Sequence, residues 1–314
     1  DGIRLSAAKC IRYRHNDLAQ LERLLKEHHS AFRQIIIVTE SIFSMDGDQA
    51  DLPALAELKR RYGNVLLYVD EAHAFGVRGR QGLGCAEESG CTGDIDFLVG
   101  TFGKAAASAG AYIVCRKVIR EYLVNRMRTL IFTTGLPPVN IAWTLFVVRR
   151  LADMRERREH LAHISRTLRE ALQEQGYPCP GASHIVPMII GQSADTVLKA
   201  EALQRHGFYA LPVRPPTVPE GTSRIRFSLT ADIRQEEIEE LKRLNQMFAD
   251  ILCQLRGATT NINQIARKLH TDGEIPNDSM LYFLNKNILK YRKESERIWR
   301  LIRRLISGQI HMEQ

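Results

Sequence analysis

Apolar positions in the first 256 residues recur with two alternating periods. From Asp17 to Lys26, Leu18, Leu21, Leu24 and Leu25 fall on one helical face. Ile35-Ile36-Ile37-Val38 follows as an unbroken apolar run, the pattern of a strand buried on both faces of a parallel sheet. Pro53 to Arg61 predicts a second helix, with proline in the first turn and Gly63 just past the end. Val65–Val69, Phe97–Val99 and Tyr112–Cys115 predict three further strands. Strands alternating with helices at this spacing predict an α/β fold with a mostly parallel sheet. Pro137-Pro138 opens a long amphipathic helix that runs to about Glu159 and resumes after a short break up to Gly176. A smaller α+β unit follows, with strands at Ile185–Ile190, Tyr209–Val213 and Arg224–Leu229 and a closing helix at Gln235–Leu255. No run of eighteen apolar residues is present, so no membrane span is expected.

Composition narrows the class. The chain has 314 residues, 44% hydrophobic and 25% charged, which suits two or three globular domains and excludes long disorder as the main state. The pattern divides into a large domain over 1–145, a linking helix with a small domain over 146–256, and a tail over 257–314. Six cysteines without a C-x-x-C pair predict reduced thiols in a cytoplasmic protein. The net charge of +8 is uneven, because residues 257–314 hold ten Lys and Arg against six Asp and Glu. Half of the excess charge thus lies in the tail, beyond a junction at Gly257-Ala258-Thr259-Thr260.

Ligands of open α/β sheets bind beyond the carboxyl ends of the strands. Thr39 to Asp48 follows the first strand, Asp70-Glu71-Ala72-His73 the second, and Gly100-Thr101-Phe102-Gly103-Lys104 the third. The tetrapeptide at 70–73 also labels a helicase magnesium motif, but the chain has no G-x-x-x-x-G-K-[ST] phosphate loop to accompany it. The donor set suits pyridoxal phosphate chemistry better. Such chemistry needs a lysine for a Schiff base and an acid to keep the pyridine nitrogen protonated. Lys104 lies 34 positions after Asp70, both at strand ends, with the Thr101 hydroxyl for the phosphate and the small residues Ala105 to Ala109 for close backbone approach. Asp46 and Asp48 read as turn residues around Gly47 rather than metal ligands, and no metal site is expected. His15 reads as a satisfied polar residue and Arg224 as a structural pair. Thr133 and Thr134 suit either a partner subunit's phosphate or a strand or turn.

Taken in order, Ser44-Met45-Asp46-Gly47-Asp48, Asp70-Glu71-Ala72-His73-Ala74-Phe75-Gly76, Gly100-Thr101-Phe102-Gly103-Lys104 and Arg214-Pro215-Pro216-Thr217-Val218-Pro219 resemble the α-oxoamine synthase family over roughly residues 1–255. That family is a branch of the fold-type I pyridoxal phosphate enzymes. The resemblance implies a partial fold-type I large domain, a small α+β domain and a homodimer with sites at its interface. It implies pyridoxal 5′-phosphate held by Lys104, Asp70 at the pyridine nitrogen and His73 at the phenolic oxygen. Ser44 would lie beside the cofactor and Thr101 near its phosphate. Thr217 would lie on the substrate side, and Arg226 would bind the amino acid carboxylate. Lys104, His73 and Asp70 would be the catalytic set. The run from Arg214 to Pro219 favours the biotin-pathway branch, which implies condensation of L-alanine with pimeloyl-CoA or a pimeloyl carrier protein and loss of CO2. A glycine C-acetyltransferase type is the alternative branch.

By the same resemblance, the family's early sheet, its glycine-rich turn and its ring-stacking histidine would precede Asp1. A chain lacking them is expected to fold poorly and to show little activity. The tail resembles something else. Thr260-Asn261-Ile262-Asn263-Gln264-Ile265-Ala266-Arg267-Lys268-Leu269 is similar to plasmid mobilisation relaxosome accessory proteins. Residues 277–306 predict one long helix with a basic face that includes Lys286, Lys290, Lys293, Arg297 and Arg300. The tail therefore suggests DNA contact through residues 257–314, with a solvated or self-associating helix as the alternative. A DNA-binding accessory protein carrying an inert synthase remnant is the rival reading of the whole chain.

Overall fold

The computed structural model describes residues 2–247. The tail over 257–314 and the last turns of the helix expected up to Leu255 lie outside them. The chain forms two compact units, one comprising residues up to 165 together with 180–185, the other comprising 166–179 and the residues from 186 onward.

In the first unit, α1 (Leu18–His28) and α2 (Leu52–Arg61) alternate with β1 (Ile35–Glu40) and β2 (Val65–Asp70). Each helix opens on an aspartate cap. The Asp17 carboxylate accepts the Gln20 amide at 2.8 Å, and the Asp51 carboxylate accepts the Ala54 amide at 3.0 Å. A short α3 (Cys85–Glu88) precedes β3 (Phe97–Thr101) and β4 (Ala111–Cys115). The sheet order is β1-β2-β3-β4, with β1, β2 and β3 parallel and β4 antiparallel to β3. The mostly parallel sheet is therefore as expected. Leu21 and Leu25 of α1 and Leu52, Leu55 and Leu58 of α2 share one core with Ile37, Leu67, Val69 and Leu98.

The other face of this sheet corrects the expectation of burial on both sides. Ile36 is 51% exposed and Val38 40% exposed, while their neighbours Ile37 and Thr39 are buried. An unbroken apolar run reads the same whether or not its second face is covered. Beyond β4, α4 (Lys117–Arg126), α5 (Arg128–Ile131) and α6 (Pro138–Arg150) follow. The helix expected from Pro137 to Glu159 in fact ends at Arg150. A 3-10 turn over Ala152–Met154 separates it from α7 (Arg155–Glu174). Thr133 and Thr134 lie exposed in an irregular segment, not in a strand.

The second unit holds a three-stranded sheet ordered β5-β7-β6, formed by β5 (Ile185–Gly191), β6 (Leu211–Val213) and β7 (Ser223–Ser228). The second strand is shorter than its predicted span because Tyr209, at 84% exposed, lies outside it. A helix absent from the sequence-based reading, α8 (Ser193–Arg205), packs against β6 and β7. Residues 235–247 are helical, as expected for the start of the closing helix. Among the described residues no helix is long and apolar enough to cross a membrane.

Candidate active site

The carboxyl ends of the three parallel strands carry the candidate chemistry. The register pairs Glu40 with Asp70 and Asp70 with Val99, so β1 and β2 end level with one another and β3 runs two residues further, to Thr101. Alternation along β2 buries Val65, Leu67 and Val69 and leaves Leu66, Tyr68 and Asp70 half-buried. Asp70 therefore belongs to the open face. One of its carboxylate oxygens accepts the Ala72 amide at 2.8 Å, which aims the start of the following turn. The Ala74 and Phe75 amides both bond the Glu71 carbonyl at 2.8 Å, and His73 lies half-buried within that turn.

Glu71 was not singled out in the sequence, and it proves to be a fully buried carboxylate. It accepts the Ser41 hydroxyl at 2.5 Å and the amides of Ala86 and Cys85 at 2.7 and 3.1 Å. Burial raises its pKa, while these donors pull it down. Gly84, at φ +113°, is required beside it. A Cβ there would come within 2.7 Å of the Glu71 carboxylate in a backbone conformation that L residues rarely adopt. The signal available in the sequence was one of parity, since position 71 continues the buried alternation of 65, 67 and 69.

Lys104 sits exposed on the loop from β3 to β4. The loop is pinned from inside by Thr101, whose hydroxyl donates to the Gly110 carbonyl at 3.1 Å and accepts the Gly103 amide at 3.1 Å. Ala107 adopts a positive φ of 46°, and its amide bonds the Lys104 carbonyl at 3.0 Å. From outside, α6 holds the same loop. The Trp143 indole donates to the Ala106 carbonyl at 3.0 Å and the Thr144 hydroxyl to Ser108 Oγ at 2.8 Å. Ala106 is buried in a small core with Phe75, Val147 and Leu151. Phe75, Phe102 and Tyr112 form an aromatic cluster with centroids 5.2–6.0 Å apart. The Tyr112 hydroxyl end occupies the space a side chain at Gly100 would need.

Ser44 is half-buried in the turn between Ile42 and Gln49, which pair as a bridge. Gly47 closes that turn at φ +65°. Asp48, read as a turn residue, also accepts His15 at 2.6 Å and the Asn16 side-chain amide at 2.9 Å. His15 is accordingly a partnered polar residue. In the second unit, Thr217 is exposed, and Arg226 on β7 donates to Ser228 Oγ at 2.5 Å. Arg224 is buried, and its Nε donates to the Thr222 carbonyl at 3.1 Å. Among the described residues, no group of three metal-ligating side chains comes together.

The arrangement in the first unit places an anchored carboxylate, a histidine-bearing turn and a lysine-bearing loop at one sheet end. Residues 252–280, outside the described part, match the family described as Bacterial mobilisation protein. A Glaesserella parasuis protein provisionally named 8-amino-7-oxononanoate synthase is 58% identical over 239 residues, which is 76% of this chain and 63% of that protein. The 8-amino-7-oxononanoate synthase of Haemophilus ducreyi is 52% identical over 77% of this chain and 63% of its own length. The chain thus spans about 63% of the length of these relatives. Among solved structures, serine palmitoyltransferase from Sphingomonas wittichii superposes with a TM-score of 0.75 at 32% identity, over 79% of this chain and 62% of the other. The 8-amino-7-oxononanoate synthase of Francisella tularensis superposes at 0.69 with 26% identity, over 79% and 71%. The family described as Aminotransferase class I and II matches residues 1–243, more than half of the sequence, and to that family this chain belongs.

Proposed function

We propose that this chain carries the cofactor-anchoring part of an 8-amino-7-oxononanoate synthase, an acyltransferase of biotin synthesis. It would join L-alanine to a pimeloyl thioester, on coenzyme A or a carrier protein, with loss of CO2. The observation that carries this reading is the placing of Asp70, at the end of β2, and the Lys104 loop, which follows β3, at one end of the sheet. The names of relatives at 52–58% identity support the choice of branch.

The donor set fits pyridoxal 5′-phosphate. Asp70 is an anchored carboxylate for a protonated ring nitrogen, and Lys104 is an exposed amine on a braced loop. When bound, the cofactor supplies an electron sink for the α-carbon of the substrate. Lys104 would hold it covalently and then, once released, take the α-proton of alanine onto Nζ. Asp70 would keep the ring nitrogen protonated, with His73 at the phenolic oxygen and Ser44 beside the ring. Thr101 would serve the phosphate end while bracing the loop. Arg226 is the proposed partner of the alanine carboxylate, for which a planar guanidinium is suited, and Thr217 a residue on the substrate side. The assembly proposed is a homodimer.

The test is an absorbance spectrum of the full chain with added pyridoxal 5′-phosphate, beside Lys104→Ala. A cofactor band that depends on Lys104 is expected, followed by coenzyme A release with L-alanine and pimeloyl-CoA and none with glycine and acetyl-CoA. No Lys104-dependent band would overturn the reading. A second reading, DNA contact through residues 257–314, is favoured by the mobilisation-protein match at 252–280. It predicts salt-dependent binding of a labelled duplex, weakened when Lys290, Lys293 and Arg297 are neutralised.

A further inference from the structure

The proposed chemistry leaves the enclosed carboxylate of Glu71 without a role. Position 71 continues the core-facing alternation of Val65, Leu67 and Val69, where an apolar side chain would pack with no polar group to satisfy. Each polar group of Glu71 is bonded instead. Its amide donates to the Val99 carbonyl of β3 at 2.7 Å, and its carbonyl accepts the Ala74 and Phe75 amides at 2.8 Å. Its carboxylate accepts the Ser41 hydroxyl at 2.5 Å and the Ala86 and Cys85 amides, at the start of α3, at 2.7 and 3.1 Å. Ser41 also donates its own amide to the Asp70 carbonyl at 2.9 Å. One residue therefore ties the segment after β1, the turn after β2, the start of α3 and the backbone of β3.

We infer that Glu71 is a positioning residue of this site, its enclosed carboxylate holding Asp70 and the His73 turn in a fixed relation. This rests on the proposed roles of Asp70 and His73 for its meaning in catalysis, though not for its geometry. Glu71 is fully buried, so it acts through its chain neighbours and not on a ligand. On one side, the bond from the Ala72 amide to the Asp70 carboxylate, 2.8 Å long, spans Glu71, so a shift at 71 disturbs it first. On the other side, the turn that carries His73 hangs from the Glu71 carbonyl through Ala74 and Phe75. Hydrogen bonds to a carboxylate are short and directional, and donors arriving from two separate segments fix where this one can sit. An apolar residue at 71 would fill the core but deprive the Ser41 hydroxyl and both amides of this acceptor.

The experiment compares the full-length wild type with Glu71→Gln, and with Ser41→Ala as the milder variant that decides the matter should Glu71→Gln fail to fold. In the cofactor-free chain, both variants should speed hydrogen exchange at the Ala72, Ala74 and Phe75 amides, by about tenfold for Glu71→Gln. With pyridoxal 5′-phosphate added, the visible circular dichroism per bound cofactor, which reports a ring held in one orientation, should fall by about half or more in Glu71→Gln. Leu55→Ala, a core change on α2, should lower the urea midpoint and leave that dichroism as in wild type. Unchanged exchange at the three amides would overturn the inference. Faster exchange with unchanged dichroism would overturn it too, by reducing Glu71 to a structural group. Faster exchange in a chain whose wild type gives no Lys104-dependent cofactor band would sustain the positioning of the turn and remove the cofactor reading instead.

Discussion

Trp143 on α6 donates its indole N–H to the carbonyl of Ala106, two residues beyond Lys104. The proposed cofactor lysine is thereby braced from a helix that begins more than thirty residues later in the chain. Trp143→Phe keeps an aromatic ring against Phe146, where the two rings stack at 5.7 Å, but removes the donor. A cost of about 1 kcal/mol is expected. Faster hydrogen exchange at the Ala107 and Ser108 amides, with exchange in β2 unchanged, is the signature to look for.

Thr101 makes a two-way test of the same loop from within. Thr101→Val removes both the bond to Gly110 and the acceptor for Gly103, while Thr101→Ser retains them. The valine variant should lose about 1–2 kcal/mol in urea unfolding and bind pyridoxal 5′-phosphate at least several-fold more weakly. The serine variant should stay near wild type in both measurements.

Glu71 gives a pH signature. Burial raises its carboxyl above the ordinary 4.5, so the folded state holds that proton more tightly than the unfolded chain. The contribution of this group to stability is therefore greatest below 4.5 and declines as pH rises through the raised folded value. Urea midpoints of wild type should fall relative to those of Glu71→Gln over that window. Parallel pH profiles for the two proteins would show that Glu71 does not titrate in this way.

Lys199 on α8 gives the opposite slope. It is 7% exposed, donates to the Tyr177 hydroxyl at 2.6 Å and lies 4.2 Å from the centroid of that ring. Burial lowers its pKa from 10.5 to about 7. The unfolded chain holds this proton more tightly, so the penalty is full below about 7 and is relieved as pH rises toward 10.5. Unfolding midpoints of wild type should climb across that range. Lys199→Met should flatten the climb and be the more stable protein at pH near 7.

The strand ends were legible because each apolar run stops at a polar motif, and the register brings Asp70 beside Glu40 and Val99. The bracing of the Lys104 loop was not legible, since Trp143 and Ser108 are partners only after folding. α8 escaped notice because it buries Thr196 and Lys199 alongside Ala200 and Leu203, which blurs a hydrophobic stripe. The break expected near Glu159 lies earlier, at Ala152–Met154, because the apolar rhythm continues across it through Leu151, which is buried in the small core beside Ala106.

Asp70 and Glu71 are adjacent in sequence yet differ in surroundings, one half-buried on the open face and the other enclosed by Ser41, Cys85 and Ala86. Their division of labour rests on strand parity alone. Deleting or inserting a single residue within β2 would exchange them, placing Glu71 in the opening and Asp70 in the core. Spacing along β2 is thus a determinant of chemistry in its own right, and length changes in this strand should be far less tolerated than substitutions along it.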